Sequence, residues 1–135
     1  MLNQEEMEQV MFKLMTDLQV EMNINGLAIL LKLSDDMQQL ELTTPVFYGG
    51  NYIPQSIRRG IQAEALFHPS TIKPTLFVDE VQFQVMLTYA GNVEEEGFKA
   101  LKEVLDEFVW IAKEWRFVLE RHGKEDLQFI YIKKS

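Results

Sequence analysis

The stretch EFVWIAKEWRFVL, Glu107 to Leu119, carries more apolar side chains than one helix face can hide. At about 100° per residue, Leu101, Leu105, Phe108, Ala112, Trp115 and Leu119 recur at steps of four and three and share a narrow arc, flanked by Val104, Ile111 and Val118. Burying each large side chain of that arc contributes roughly 1.5–3 kcal/mol before entropy is subtracted, enough to dock the helix on a sheet. Trp110 and Phe117 point the opposite way, among Lys99, Glu103, Asp106, Lys113, Glu114 and Arg121. They cannot share that core. Either the chain's own end folds back and lays Leu127, Phe129 or Tyr131 over them, or a partner protein covers them, since tryptophan and phenylalanine are favoured interface anchors.

The remaining pattern supplies the sheet. Asn3 and Glu6 can form a capping box for a first helix whose stripe is Met7, Val10, Met11, Leu14, Met15 and Leu18. It is expected to end a few residues before Asn25-Gly26, a pair suited to positive φ, so Met22 falls on this helix. LAILLKL, Leu27 to Leu33, reads as a well-buried strand, and MQQLELT as its half-wet partner. A loop containing Phe47, Tyr48 and Tyr52 leads to a short helix opened by Pro54, with Ile53, Ile57, Ile61 and Ala65 on one face. Gly60 weakens this helix by about 1 kcal/mol, and an alternating strand from Ile61 to Phe67 competes with it. TLFVDEVQFQVMLTYAG reads as two strands turning at Asp79-Glu80, the second showing Val81, Phe83, Val85 and Leu87 on one face. Asn92 then caps the last helix, with Glu94, Glu95 and Glu96 in its first turn. That helix should stop at Gly123, before an alternating DLQFIYIKK tail. The expected fold is α+β: one domain over residues 1–135, an antiparallel sheet packed by helices in the order α-β-β-(β)-α-β-β-α, with an extended or strand-like C-terminal tail.

Charge and residue usage narrow the function. With 13 basic against 21 acidic residues the formal charge is −8, a field that repels nucleic-acid backbones and anionic membranes. The absence of cysteine removes disulfides, thiol catalysis and Cys-ligated zinc. The N-terminus lacks a signal-peptide pattern and no apolar run reaches membrane-spanning length, so a cytoplasmic protein is expected. His68 and His122 are the only histidines, in no metal-ligand spacing, and read as surface or capping residues. Asp35-Asp36 and Asp79-Glu80 read as turn formers, and Arg58-Arg59 as a solvated pair able to meet an acidic partner segment. No phosphate-binding glycine loop or nucleophile elbow is present. The expectation is a protein-binding domain with no catalytic residue, metal or cofactor.

Two segments carry a family resemblance. IQAEALFHPSTIKPTLFVDE, Ile61 to Glu80, is similar to the end of the second helix and the following strand of class I type III secretion chaperones, the CesT/SycE-like group. LKEVLDEFVWIAKEWRFVL resembles their closing helix, with its Ala-x-x-Trp-Arg pattern at Ala112, Trp115 and Arg116. YbjN-like domains share the architecture. Family members place about three strands between the first two helices, whereas the stretch from Gly26 to Ile53 holds two strands and a loop comfortably. The strand-like tail is atypical as well, and chlamydial chaperones that form heterodimers are a further match.

The resemblance implies a chaperone that holds the N-terminal segment of a secreted effector or gatekeeper protein export-ready, as a homodimer or paired with a sister chaperone. It places subunit pairing around Ile57 and Ile61 of the second helix and Phe83 and Val85 of the strand from Val81 to Tyr89. Trp110, Phe117 and Met22 are the candidate partner-binding residues, the methionine because a flexible thioether makes a forgiving pocket wall. Two other readings remain: a regulatory protein that binds a folded basic partner such as a transcription component, and, least favoured, an enzyme or small-ligand sensor.

Overall fold

In the computed structural model, residues 3–63, 72–92 and 97–134 are described, with side chains for 3–61, 72–92 and 101–121. Helix α1 spans Gln4–Asp17. The Asn3 side chain accepts from the Glu6 amide at 2.8 Å and the reciprocal contact completes the capping box. The helix stops sooner than its apolar stripe suggests. Leu18 adopts the left-handed conformation (φ 63°) and donates its amide to the Leu14 carbonyl at 2.9 Å.

From there the chain enters a strand, β1 (Gln19–Ile24), in place of a last helical turn. Val20 and Ile24 are buried, whereas Gln19, Glu21 and Asn23 face out. Asn25 (φ 54°) and Gly26 (φ 85°) form the two-residue turn into β2 (Leu27–Leu33), the geometry that an Asn-Gly pair between alternating apolar residues favours. Met22 therefore lies on a strand, and three strands stand between the first two helices, the extra one gained upstream of Gly26.

β2 pairs with β3 (Gln39–Tyr48), β3 with β5 (Gln84–Asn92), and β5 with β4 (Thr75–Asp79), all antiparallel, in the spatial order β1-β2-β3-β5-β4. The turns between strands use the predicted carboxylates. Asp36 accepts from the Ser34 hydroxyl at 2.5 Å and the Gln38 amide at 3.1 Å, which hold its carboxyl below the usual range. Asp79 accepts from the Val81 and Gln82 amides at 2.9 and 3.2 Å. The β4–β5 turn is longer than the sequence pattern suggests: Phe83 has φ 56° and Val81 is 85% exposed, so neither belongs to the strand. Asn92 ends β5, and the acidic first turn that it is expected to cap lies outside the described residues.

Helix α2 (Gln55–Ala63) begins after Pro54, whose carbonyl accepts from Ile57 and Arg58 at 3.1 and 3.2 Å. Ile53 and Ile57 are buried; Ala65, His68 and the competing strand's last residues lie outside the described residues. Helix α3 (Gly97–Lys134) runs straight through Gly123, so the tail is helix and not a strand. Its core stripe is buried as its spacing predicts, with Leu105, Phe108, Ala112 and Leu119 at 1% exposure or less. No helix among the described residues is long and apolar enough to cross a membrane.

The helices' apolar stripes and alternate residues of every central strand form one cluster, with Met7 and Leu14 from α1, Ile57 from α2 and Phe108 from α3 against Ile29, Leu31, Leu42, Val85 and Leu87. Thr44 is the one polar side chain fully enclosed among the described residues, and its hydroxyl donates to the Ala28 carbonyl at 2.8 Å. Residue pairing between β2 and β3 begins only at Leu30–Thr43, so this side chain satisfies a carbonyl beyond the end of the ladder. Thr44→Val keeps the shape and removes the donor. It should lower the unfolding free energy by about 1–3 kcal/mol, read as a lower urea midpoint with unchanged slope.

Candidate protein-binding surfaces

Three surfaces emerge from this framework. The first is made by α1 and β1. β1 is an edge strand, so one row of its backbone amides and carbonyls has no neighbouring strand among the described residues. Beside it lies an open groove of about 270 Å³ lined by Glu6, Gln9, Val10 and Lys13 of α1 and by Val20, Met22 and Asn23 of β1. Met22 is half-buried, packs against the core and lines the groove. The floor is apolar and the rim carries both charge signs, an arrangement suited to an apolar side chain within a polar segment. On another side of α1, Phe12 is 74% exposed and Met15 is 45% exposed. Phe12 lies off the helix's apolar stripe, and reading that stripe alone passes over it.

The second surface is the outer side of α3. Trp110 is 43% exposed and Phe117 is 65% exposed, as their position opposite the core stripe requires. Because α3 continues as helix to Lys134, residues 127–131 lie further along the same axis, about 1.5 Å per residue. A tail that does not reverse cannot roof Trp110 and Phe117. The structure does not merge this surface with Met22, since α3 packs over β3 and against α2 while Met22 lies at the α1–β1 edge.

The third surface lies where α2 meets the β4–β5 turn. Arg58 bonds Glu80 at 2.7 and 3.2 Å, so α2 and the approach to β5 do come together, and one of the two adjacent arginines has an internal partner. Of the four residues assigned there to subunit pairing, however, Ile57 and Val85 have no exposed surface. Ile61 and Phe83 are half-buried and packed on the core. In the turn itself Val81 is 85% exposed, while Phe77, 46% exposed, shares the face of its partner Met86 and so lies on the side of the sheet opposite Val85. Alternation along a strand identifies an apolar face without saying whether the chain's own helices already cover it.

Comparison with known proteins supports the same architecture. No family profile and no curated protein matches the sequence. Among solved structures, a chain of the HopA1–SchA chaperone–effector complex superposes with a TM-score of 0.55 at 20% identity, covering 73% of this chain and 75% of that one. A chain of the heterodimeric ExoU–SpcU complex from the type III secretion system of Pseudomonas aeruginosa superposes with a TM-score of 0.53 at 13% identity, covering 78% and 85%. At these identities the likeness is one of fold: the chain has a class I type III secretion chaperone-like fold.

Proposed function

We propose that this protein is a non-catalytic chaperone that holds an extended N-terminal segment of a type III secreted protein in an export-ready state. The observation that carries this reading is the pairing of a free strand edge at β1 with the groove between α1 and β1. An extended segment adding to that edge gains backbone hydrogen bonds, and every second side chain turns toward the groove. The polyanionic chain favours a segment with basic residues flanking its apolar anchors. The likeness to chains of chaperone–effector complexes agrees with this use of the fold.

Under the same reading the protein works as a homodimer or with a sister subunit, through the corner of α2, β4 and β5. Val81 is the contact residue there, and Ile57 and Val85, packed in the interior, support the corner without meeting the partner. Trp110 and Phe117 form a separate protein-contact surface on α3.

Affinity purification from the native host followed by mass spectrometry should recover a secreted protein with the wild-type chain. Met22→Lys places a charge in the apolar wall and should weaken capture of that protein by tenfold or more, roughly 1.4 kcal/mol, without changing the far-ultraviolet circular dichroism. Equal recovery with both chains would contradict the assignment of the groove. A complex held through the groove should also persist at high salt, whereas docking of a folded basic partner on the acidic surface should fail there.

Substitutions at the other two surfaces separate contact from core. Phe117→Ala should cost under about 0.5 kcal/mol of stability, whereas Phe108→Ala should cost about 3–5 kcal/mol, compared by thermal or urea unfolding. Val81→Glu should shift sedimentation at micromolar concentration from dimer to monomer with the fold intact. An unchanged sedimentation coefficient would remove this corner as the pairing surface.

A further inference from the structure

The free edge of β1 is only useful to an incoming segment if it stays straight, and among the described residues β1 is held by a strand on one side alone. Its far end is the tight Asn25-Gly26 turn. Within that turn the Gly26 amide donates to the Asn23 side chain at 3.1 Å. The Gly26 carbonyl accepts from the guanidinium of Arg116 on α3 at 3.4 Å, across ninety positions of sequence. Arg116 is well placed to reach it. Its neighbours Val118 and Leu119 are buried and Trp115 packs on the core, which sets the rotation of the helix at this point. Glu120, one turn further on, accepts from Arg116 Nε at 3.3 Å and orients the guanidinium. A Cβ at Gly26 would come to 3.5 Å from the same guanidinium nitrogen, an ordinary van der Waals contact, so the group lies directly against the turn.

We infer that Arg116 is a positioning residue: it ties the tip of the β1–β2 hairpin to α3 and so fixes the strand edge that receives the client. This rests on the edge-addition reading proposed above and adds the residue that prepares the edge. An edge already held in place loses less conformational freedom on binding, so the tie acts on affinity without touching the client. Arginine suits the task because its fork can satisfy a carboxylate and a carbonyl together.

Amide hydrogen exchange on the full chain with no client present tests the tie, comparing wild type with Arg116→Ala and Arg116→Lys. The alanine variant should raise exchange over residues 23–28 by about fivefold, the factor carried by one hydrogen bond of ordinary net strength. The lysine variant, which retains one donor, should fall between it and wild type, and exchange over β3 and β5 should not change. A fluorescently labelled synthetic peptide of alternating valine and threonine then probes the edge itself, and should dissociate faster from Arg116→Ala by a similar factor. Exchange over residues 23–28 that matches wild type, or a rise spread evenly through the sheet, overturns the assignment. A wild-type chain that ignores the peptide refutes edge addition, while the exchange comparison still decides whether Arg116 holds the hairpin.

Discussion

Leu18 is the residue on which the geometry of the α1–β1 groove turns. Its amide closes α1 on the Leu14 carbonyl at 2.9 Å, and its own carbonyl accepts from the Leu33 amide, also at 2.9 Å. One residue therefore ends the helix and anchors the end of β2. A non-glycine residue in the left-handed region costs roughly 1–2 kcal/mol, and the hydrogen bond to Leu33 together with packing on the core offsets that cost. If α1 ran on to Ile24, the sheet would lose its outermost strand and the groove would lose the wall made by Val20, Met22 and Asn23. The edge and the groove thus exist because a tertiary contact overrides the local preference for more helix.

That override explains why β1 is hard to see in the sequence. No glycine or asparagine stands at position 18, and the stripe from Met7 to Leu18 gives no hint of an ending. The signal that is present is the alternation of Val20, Met22 and Ile24 with Gln19, Glu21 and Asn23, immediately before Asn-Gly. An Asn-Gly pair marks a hairpin when apolar residues alternate on both sides, and a helix end when they recur at three and four on one side. Here a helical stripe and an alternating strand abut without punctuation, and the longer pattern absorbs the shorter.

The opposite error occurs at the other end of the chain. Gly123 and the alternating DLQFIYIKK suggest a stop and a strand, yet α3 continues to Lys134. An interior glycine costs a helix about 1 kcal/mol relative to alanine, less than the cooperative gain from extending an established helix. An isolated alternating segment, by contrast, needs a neighbouring strand to satisfy its backbone. The core stripe of α3 is fully legible because its period, about 3.6 residues, is a property of the helix itself. At the α2 corner the sequence shows apolar faces without showing what covers them, and Ile57 and Val85 are used up by the chain's own interior.

The gap between sequence and fold comparison follows from the same physics. No family profile matches, whereas solved structures at 13% and 20% identity superpose over about three quarters of the chain. A two-layer domain of this kind asks of most positions only that they be apolar and of suitable volume, a requirement many sequences meet. A catalytic site would impose fixed residue types at fixed distances and leave a readable motif. A strand edge and an apolar groove impose much less: backbone groups supply the hydrogen bonds, and Val10, Val20 and Met22 supply a surface whose shape matters more than its identity. Such surfaces tolerate extensive sequence change around a fixed architecture, which is why the fold is recognisable here where the sequence carries no motif.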